Sequence, residues 1–255
     1  MIKKILFVAA MVSSLSLVAQ QPDYYLLKTY HFSKNEQEAK IMDYLENAYV
    51  PAMHSIGNET VGVFSLLGND TAEMKKVFVL IPGKDLGKLL ETEDELANHD
   101  MHLKSGADYW ATAHDQPAYD RIESSLLKAF HLHKTFKKPN LEAPMKDRIY
   151  ELRSYEGASE KLYRKKVEMF NEGGEIDIFN DLNFNAVFYS ETLVGAHTPN
   201  LVYLTTYENM DDRNKHWDAF RNAPAWKVLS AKDEYKNTVS HIDISFLIPA
   251  DFSDI

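Results

Sequence analysis

Tyr25-Leu-Leu-Lys-Thr-Tyr30 and Tyr150-Glu-Leu-Arg-Ser-Tyr155 are two versions of one segment, set 125 residues apart. Both mix apolar and polar residues in alternation, the pattern of a half-buried strand. The same offset, without a gap, pairs Val63-Phe64-Ser65 with Phe188-Tyr189-Ser190, and Val77-Phe78-Val79 with Val202-Tyr203-Leu204. Farther along, Trp110 and Pro117-Ala118-Tyr119 answer Trp217 and Pro224-Ala225-Trp226 at an offset of 107. The drop from 125 to 107 implies an 18-residue insertion in the first copy. Four matches in the same order identify an internal duplication.

Each copy has the same predicted order. The opening strand is followed by a helix, marked by Met42, Leu45, Tyr49 and Met53 in one copy and by Val167 and Phe170 in the other. Two strands come next, at 60–66 with 76–81 and at 185–191 with 201–207. A second helix starts near Asp85 or Met210, and last strands are expected at 122–130 and 239–248. The order β-α-β-β-α-β is that of a ferredoxin-like domain, so the predicted fold class is α+β with two tandem ferredoxin-like domains. The expected boundaries are 22–136 for the first repeat, with its insertion at about 83–109, 137–145 for a proline-flanked linker, and 146–250 for the second repeat.

A ferredoxin-like sheet carries helices on one face only, and the other face needs cover. The expectation is that the two open faces pack together as an intramolecular pseudo-dimer, a barrel-like pair within one chain. Assigning the charged side of each strand to that contact places Lys28, Tyr30, Glu151, Arg153, Tyr155, Tyr189, Glu191, His241 and Asp243 between the sheets. Charges buried there must be paired or solvated, which gives either a salt-bridge network or a polar cavity.

The second copy resembles a NIPSNAP domain from Ile149-Tyr-Glu-Leu-Arg-Ser-Tyr155, through Asn200-Leu-Val-Tyr-Leu-Thr-Thr-Tyr-Glu-Asn209, to Asn222-Ala-Pro-Ala-Trp226. The first copy is similar at a greater distance, with Lys28 where the second has Arg153. The resemblance implies membership of the dimeric α/β-barrel superfamily, whose members include cofactor-independent monooxygenases, haem enzymes and isomerases. It brings no settled catalytic residues, and a shared fold does not choose among these activities.

The candidate catalytic set is Arg153, Tyr155 and His241: arginine to hold an anionic oxygen, histidine or tyrosine to move a proton. Lys28, Tyr30, Tyr189, Glu191 and Asp243 are candidate ligand contacts on the same predicted face. The alternative is a structural pair such as Arg153 with Glu151 or Asp243 across the strands. Glu95, His99 and His102 have helical ligand spacing, but they lie in an acidic segment that reads as a solvated helix, so no metal is assigned. No cofactor is predicted, with haem or a metal left open. The chain lacks GxGxxG, P-loop, HExxH and GxSxG motifs.

Lys3 and Lys4, the apolar run from Ile5 to Val12 and small residues up to Ala19 read as a secretory signal, cleaved near Ala19. Export to the periplasm or the medium is therefore expected. Losing residues 1–19 removes two lysines and no acid, which moves the formal charge from -10 to -12. So acidic a chain lacks the electrostatic attraction that dominates nucleic-acid binding. No later segment is apolar enough to span a membrane. With no cysteine, disulfides and thiol chemistry are excluded. Three functions remain: a protein that binds a small molecule or a protein partner through its paired domains, an enzyme of oxygenase or isomerase type with a polar site between the sheets, or a structural module in a homo-oligomer.

Overall fold

The computed structural model describes residues 20–255; the expected signal, 1–19, lies outside the described residues. The first half runs β1 (Tyr24–Phe32), α1 (Asn35–Tyr44), a π-helical turn into α2 (Val50–Ser55), β2 (Gly62–Leu66) and β3 (Lys75–Gly83). It continues through α3 (Leu86–Ala97), α4 (Asp100–Ser105) and α5 (Ala107–Trp110) to β4 (Arg121–Ala129). The second half runs β5 (Ile149–Glu156), α6 (Glu160–Phe170), α7 (Glu175–Asp181), β6 (Asn185–Val194), β7 (Asn200–Tyr207), α8 (Met210–Asn222), α9 (Pro224–Ser230) and β8 (His241–Pro249). Local sequence sets the helix starts. The side chains of Asp85, Ser159 and Asn209 accept hydrogen bonds from the backbone N–H groups of Lys88, Leu162 and Asp212, and Pro224 opens α9. Helices α3, α4 and α5 fill the predicted insertion.

The eight strands close into one barrel in the order β1-β3-β2-β8-β5-β7-β6-β4. Every neighbouring pair is antiparallel. β1 and β5, four strands apart, therefore run the same way, and their C-terminal ends reach one rim, here called the mouth. The barrel axis is thus an approximate two-fold axis between the halves. The register makes the equivalences explicit: Thr29 lies opposite Glu123 as Ser154 lies opposite Asp243, and Leu27 opposite Ser125 as Leu152 opposite Ser245.

Three apolar clusters follow from strand alternation. One lies between the first half of the sheet and α1–α3, built on Tyr30, Phe32, Val77, Val79 and Ile81. A second lies between the other half and its helices, around Tyr155, Phe170, Tyr189, Tyr203 and Trp217. The third fills the barrel, with Tyr25, Phe64, Phe78, Leu80, Leu127, Tyr150, Phe188, Leu204 and Leu247. Each such fully buried side chain stabilises the fold by roughly 2 kcal/mol.

These clusters reverse the side expected for most of the polar strand residues. Lys28, Tyr30, Glu151, Arg153, Tyr155, Tyr189 and Glu191 lie under the helices, not between the paired sheet faces. Their neighbours Tyr25, Tyr150 and Leu152 point into the barrel instead. Only His241 and Asp243 take the predicted side. The physical reason is partnership. The helices bring Glu93, Tyr163 and Arg213 to the charged face, whereas the barrel interior is filled by aromatic and aliphatic side chains.

The two ends of the barrel differ. Opposite the mouth, the C-terminal tail folds back along β2, where Ala250 N–H bonds Val63 O and Asp254 N–H bonds Val61 O. Its last residue, Ile255, is buried in the interior cluster, and Phe136 packs against the same cluster. At the mouth the seams between the halves stop short. β2 meets β8 only over Phe64–Leu66, and β4 meets β6 only over Leu126–Ala129. Residues 121–125 and 241–245 therefore carry a strand partner on one side only, and the barrel is open there.

Candidate ligand site at the barrel mouth

A cavity of about 530 Å³ occupies this mouth. Its floor is apolar, made by Leu27, Leu66, Phe78, Leu152 and Val202. Its wall carries hydroxyls and an amide, Thr29, Ser125, Ser154, Ser245 and Asn200. The rim is ionisable, with His31, Lys76, Glu123, His197, His241 and Asp243. An apolar floor under a few convergent polar groups is the usual form of a small-molecule site.

The rim is built in pairs. His31 Nε2 lies 3.7 Å from Glu123 Oε2, and His241 Nε2 lies 3.1 Å from Asp243 Oδ1. Glu123 and Asp243 are register equivalents, so the approximate two-fold axis sets a carboxylate on each side of the opening. Burial lowers the pKa of His31, and the charge of Lys76 lowers it further against the opposing pull of Glu123. A neutral imidazole at this point can accept a proton. Within the wall, Asn200 is 4% exposed, and its Nδ2 donates to Ser154 Oγ at 2.7 Å. Its Oδ1 is buried and accepts no hydrogen bond among the described residues. An unpaired buried acceptor of this kind is costly and calls for a partner.

The remaining predicted residues form a closed network elsewhere. Arg153 Nε donates to Glu151 Oε1 at 2.7 Å, and Arg153 Nη1 to Tyr155 Oη at 3.0 Å. Tyr155 and Tyr203 share a hydroxyl contact of 2.9 Å. From α8, Arg213 donates to both Glu151 oxygens at 2.7 and 2.9 Å, and Trp217 Nε1 donates to Oε2 at 2.7 Å. The Arg153 guanidinium also stacks 3.7 Å from the Trp217 ring. Burial opposes the charge on Glu151, but the hydrogen bond from Arg213 and the two arginine charges outweigh it and lower its pKa. The structure thus separates His241 from Arg153 and Tyr155: His241 opens on the mouth, and the other two lie on the opposite face of the sheet.

In the first half, Lys28 pairs with Glu93 of α3 at 2.8 Å, so the insertion supplies its counter-charge. Tyr30 is buried edge-on to Tyr119. Glu191 accepts from Tyr163 Oη at 3.0 Å, and Tyr189 stacks within the second cluster. The helical spacing of Glu95, His99 and His102 is broken, because α3 ends at Ala97 and His99 caps α4. His102 has both ring nitrogens engaged, with Leu96 O at 2.7 Å and Tyr44 Oη at 2.8 Å. The repeated tryptophans also diverge, since Trp217 is buried against the sheet while Trp110 is 51% exposed.

Sequence reasoning missed His31, Glu123, Asn200 and His197. His31 was legible in principle, because it follows Tyr30 in a strand already aligned by the duplication, whereas Glu123 lies near the start of a last strand that neither offset aligned with the strand of Asp243. His197 was not, since it sits in the β6–β7 turn with no strand to orient it.

The NIPSNAP family model matches residues 150–254. Among solved structures, a proposed monooxygenase of Lactobacillus acidophilus NCFM superimposes over 90% of this chain and 94% of its own, with a TM-score of 0.55 at 13% identity. A second proposed monooxygenase, from Fusobacterium nucleatum subsp. nucleatum ATCC 25586, covers 90% of this chain and 93% of its own, with a TM-score of 0.57 at 9% identity. A NIPSNAP-like domain protein of Burkholderia xenovorans covers 43% of this chain and 91% of its own, with a TM-score of 0.39 at 22% identity. Comparison with curated proteins gives no match. At these identities the first two likenesses show a shared fold, the mixed α/β barrel, and nothing of chemistry. Strands β5–β8 and their helices lie inside the matched segment, so the half of the barrel at residues 150–254 is the part that matches the NIPSNAP family model.

Proposed function

We propose that the chain is an exported binding protein that takes a small, largely neutral molecule into the barrel mouth. The observation that carries this reading is the asymmetry of the barrel: one end is plugged by Ile255 and Phe136, and the other opens on a 530 Å³ cavity. The ligand that fits has an apolar body to cover Leu27, Phe78 and Leu152, and a hydroxyl or amine to meet Asn200 Oδ1 and the serines. Two carboxylates against one lysine on the rim disfavour an anion. Each half is read as a ferredoxin-like repeat, supported by the matching strand orders β4-β1-β3-β2 and β8-β5-β7-β6. Export rests on the pattern of residues 1–19, and an intact mass beginning at Gln20 would support it.

Native mass spectrometry of protein purified from its own host tests the reading. The expected result is a retained small molecule, absent from a Ser154→Phe variant whose circular dichroism is unchanged. A clean apo mass for both proteins, with no ligand found on screening metabolite extracts, would sink it.

A second reading, an enzyme, is favoured by one feature: two histidine–carboxylate pairs face the same cavity, and one histidine is held neutral. Such a group can take a proton from a bound substrate. The similar folds described as proposed monooxygenases suggest oxygen as a co-substrate. Oxygen uptake in the presence of the retained ligand, abolished in His31→Ala, is the outcome this reading requires.

A further inference from the structure

We propose that Glu156, His197 and Asp243 form a binding site for one divalent transition metal at the lip of the barrel mouth. The proposal rests on the mouth being the functional end and adds a second, inorganic ligand to it. Glu156 ends β5, Asp243 lies on the neighbouring β8, and His197 comes down from the β6–β7 turn. One ligand atom from each lies within 4.8 Å of the others. Around a zinc-sized ion with bonds of about 2.1 Å, tetrahedral ligand atoms stand roughly 3.4 Å apart, so closing the site needs only small rotations.

Three further observations separate this cluster from an ordinary surface ion pair. His197 Nδ1 lies 2.9 Å from Glu156 Oε1, yet Glu156 Oε1 is buried and makes no hydrogen bond among the described residues. The two atoms are close without making an aligned hydrogen bond, which leaves the Glu156 oxygen with an unused lone pair. Second, His197 has a backbone φ of 63°, a left-handed conformation that costs a non-glycine residue about 1 kcal/mol or more. Third, the unpaired Oδ1 of the buried Asn200 belongs to the same cavity. His241 bonds Asp243 Oδ1 at 3.1 Å and would hold that carboxylate in its ligating rotamer.

The donor set indicates the kind of metal. One imidazole with two carboxylates suits zinc, manganese or iron, whereas magnesium and calcium prefer oxygen donors alone. The first half shows why its equivalent position does not form a second such site among the described residues. Its register equivalents of Glu156 and Asp243 are His31 and Glu123, and they face Lys76, a cation that would repel a metal.

Chelator-stripped full-length mature protein is titrated with zinc chloride by calorimetry, with magnesium chloride as comparator. The expected result is one zinc per chain, with affinity about tenfold or more weaker in His197→Ala and in Asp243→Asn, and no matching heat for magnesium. His131→Ala, which alters an exposed histidine away from the mouth, should leave zinc binding unchanged. Cobalt absorption in the visible range, lost in His197→Ala, reports the imidazole directly. Absence of saturable one-to-one binding overturns the proposal, as does equal weakening by His131→Ala or full zinc affinity in His197→Ala. Ser154→Phe separates the two ideas: it blocks the cavity and spares all three ligands. Zinc binding without an organic ligand leaves the metal site standing and defeats the binding-protein reading. An organic ligand without zinc does the reverse.

Discussion

Two polar regions of this molecule lie on opposite faces of the same strands. Under the helices, Glu151 is fully buried and receives hydrogen bonds from Arg153, Arg213 and Trp217. At the mouth, Asn200 Oδ1 is buried and accepts no hydrogen bond among the described residues, Glu156 Oε1 is buried with only His197 Nδ1 beside it at 2.9 Å, and His241 and Asp243 face solvent. Charged residues are frequent in both, so residue type does not tell them apart. Satisfaction does. A network whose donors and acceptors are all used has nothing left to offer a ligand, while a cavity with idle acceptors does. The closed network has the form of a structural support, and the proposed ligand site lies at the open region.

The sharpest way to break this comparison is to open the closed region. Glu151→Ala leaves the Arg153 and Arg213 guanidinium groups buried without their carboxylate, and the expected loss is about 3–5 kcal/mol in urea unfolding. A loss below about 1 kcal/mol would mean that the network is not the support described here. Next in size is the plug at the sealed end. Ile255→Ala removes buried apolar volume from the barrel and should cost about 2–3 kcal/mol, because little else can fill the space. If stability is unchanged, the tail does not seal the barrel in solution.

Titration gives a smaller and more specific effect. The pKa of Glu151 is lowered on folding from an ordinary 4.5, so the folded state prefers the carboxylate. Its contribution is full above that ordinary value and fades as pH falls through the lowered folded pKa. Stability of the native protein minus that of Glu151→Gln should therefore stay level at neutral pH and shrink only in acid, below pH 4.5. A difference that stays constant into strong acid would contradict the ion-pair account. The smallest effect belongs to the mouth. His241→Ala and Asp243→Asn alter side chains 59% and 57% exposed, and each should change stability by no more than about 0.5 kcal/mol. A large destabilisation there would move these residues from the ligand-facing region to the structural one.

Much of the architecture was legible. Aligning Tyr25–Tyr30 with Tyr150–Tyr155 gives two copies with the same element order, and the NIPSNAP likeness of the second copy stands on residues quoted from the sequence alone. Strand and helix positions follow because alternation and helical spacing are local properties. The candidate site was legible only in His241 and Asp243. Alternation shows that Glu151 and Arg153 oppose Tyr150 and Leu152, but it does not say which face meets the helices.

That choice is made by partners distant in sequence. Arg213 and Trp217 arrive from a helix some sixty residues downstream, and only their arrival makes the helix-covered face the favourable place for Glu151. The sequence by itself determined the duplication, the order of elements and the two faces of each strand. Tertiary structure alone decided which face turned inward, which end of the barrel stayed open, and that His197 came to stand beside Glu156 and Asp243. Local pattern is written along the chain, whereas pairing of buried charge is settled by whichever groups the closed barrel brings within hydrogen-bonding distance.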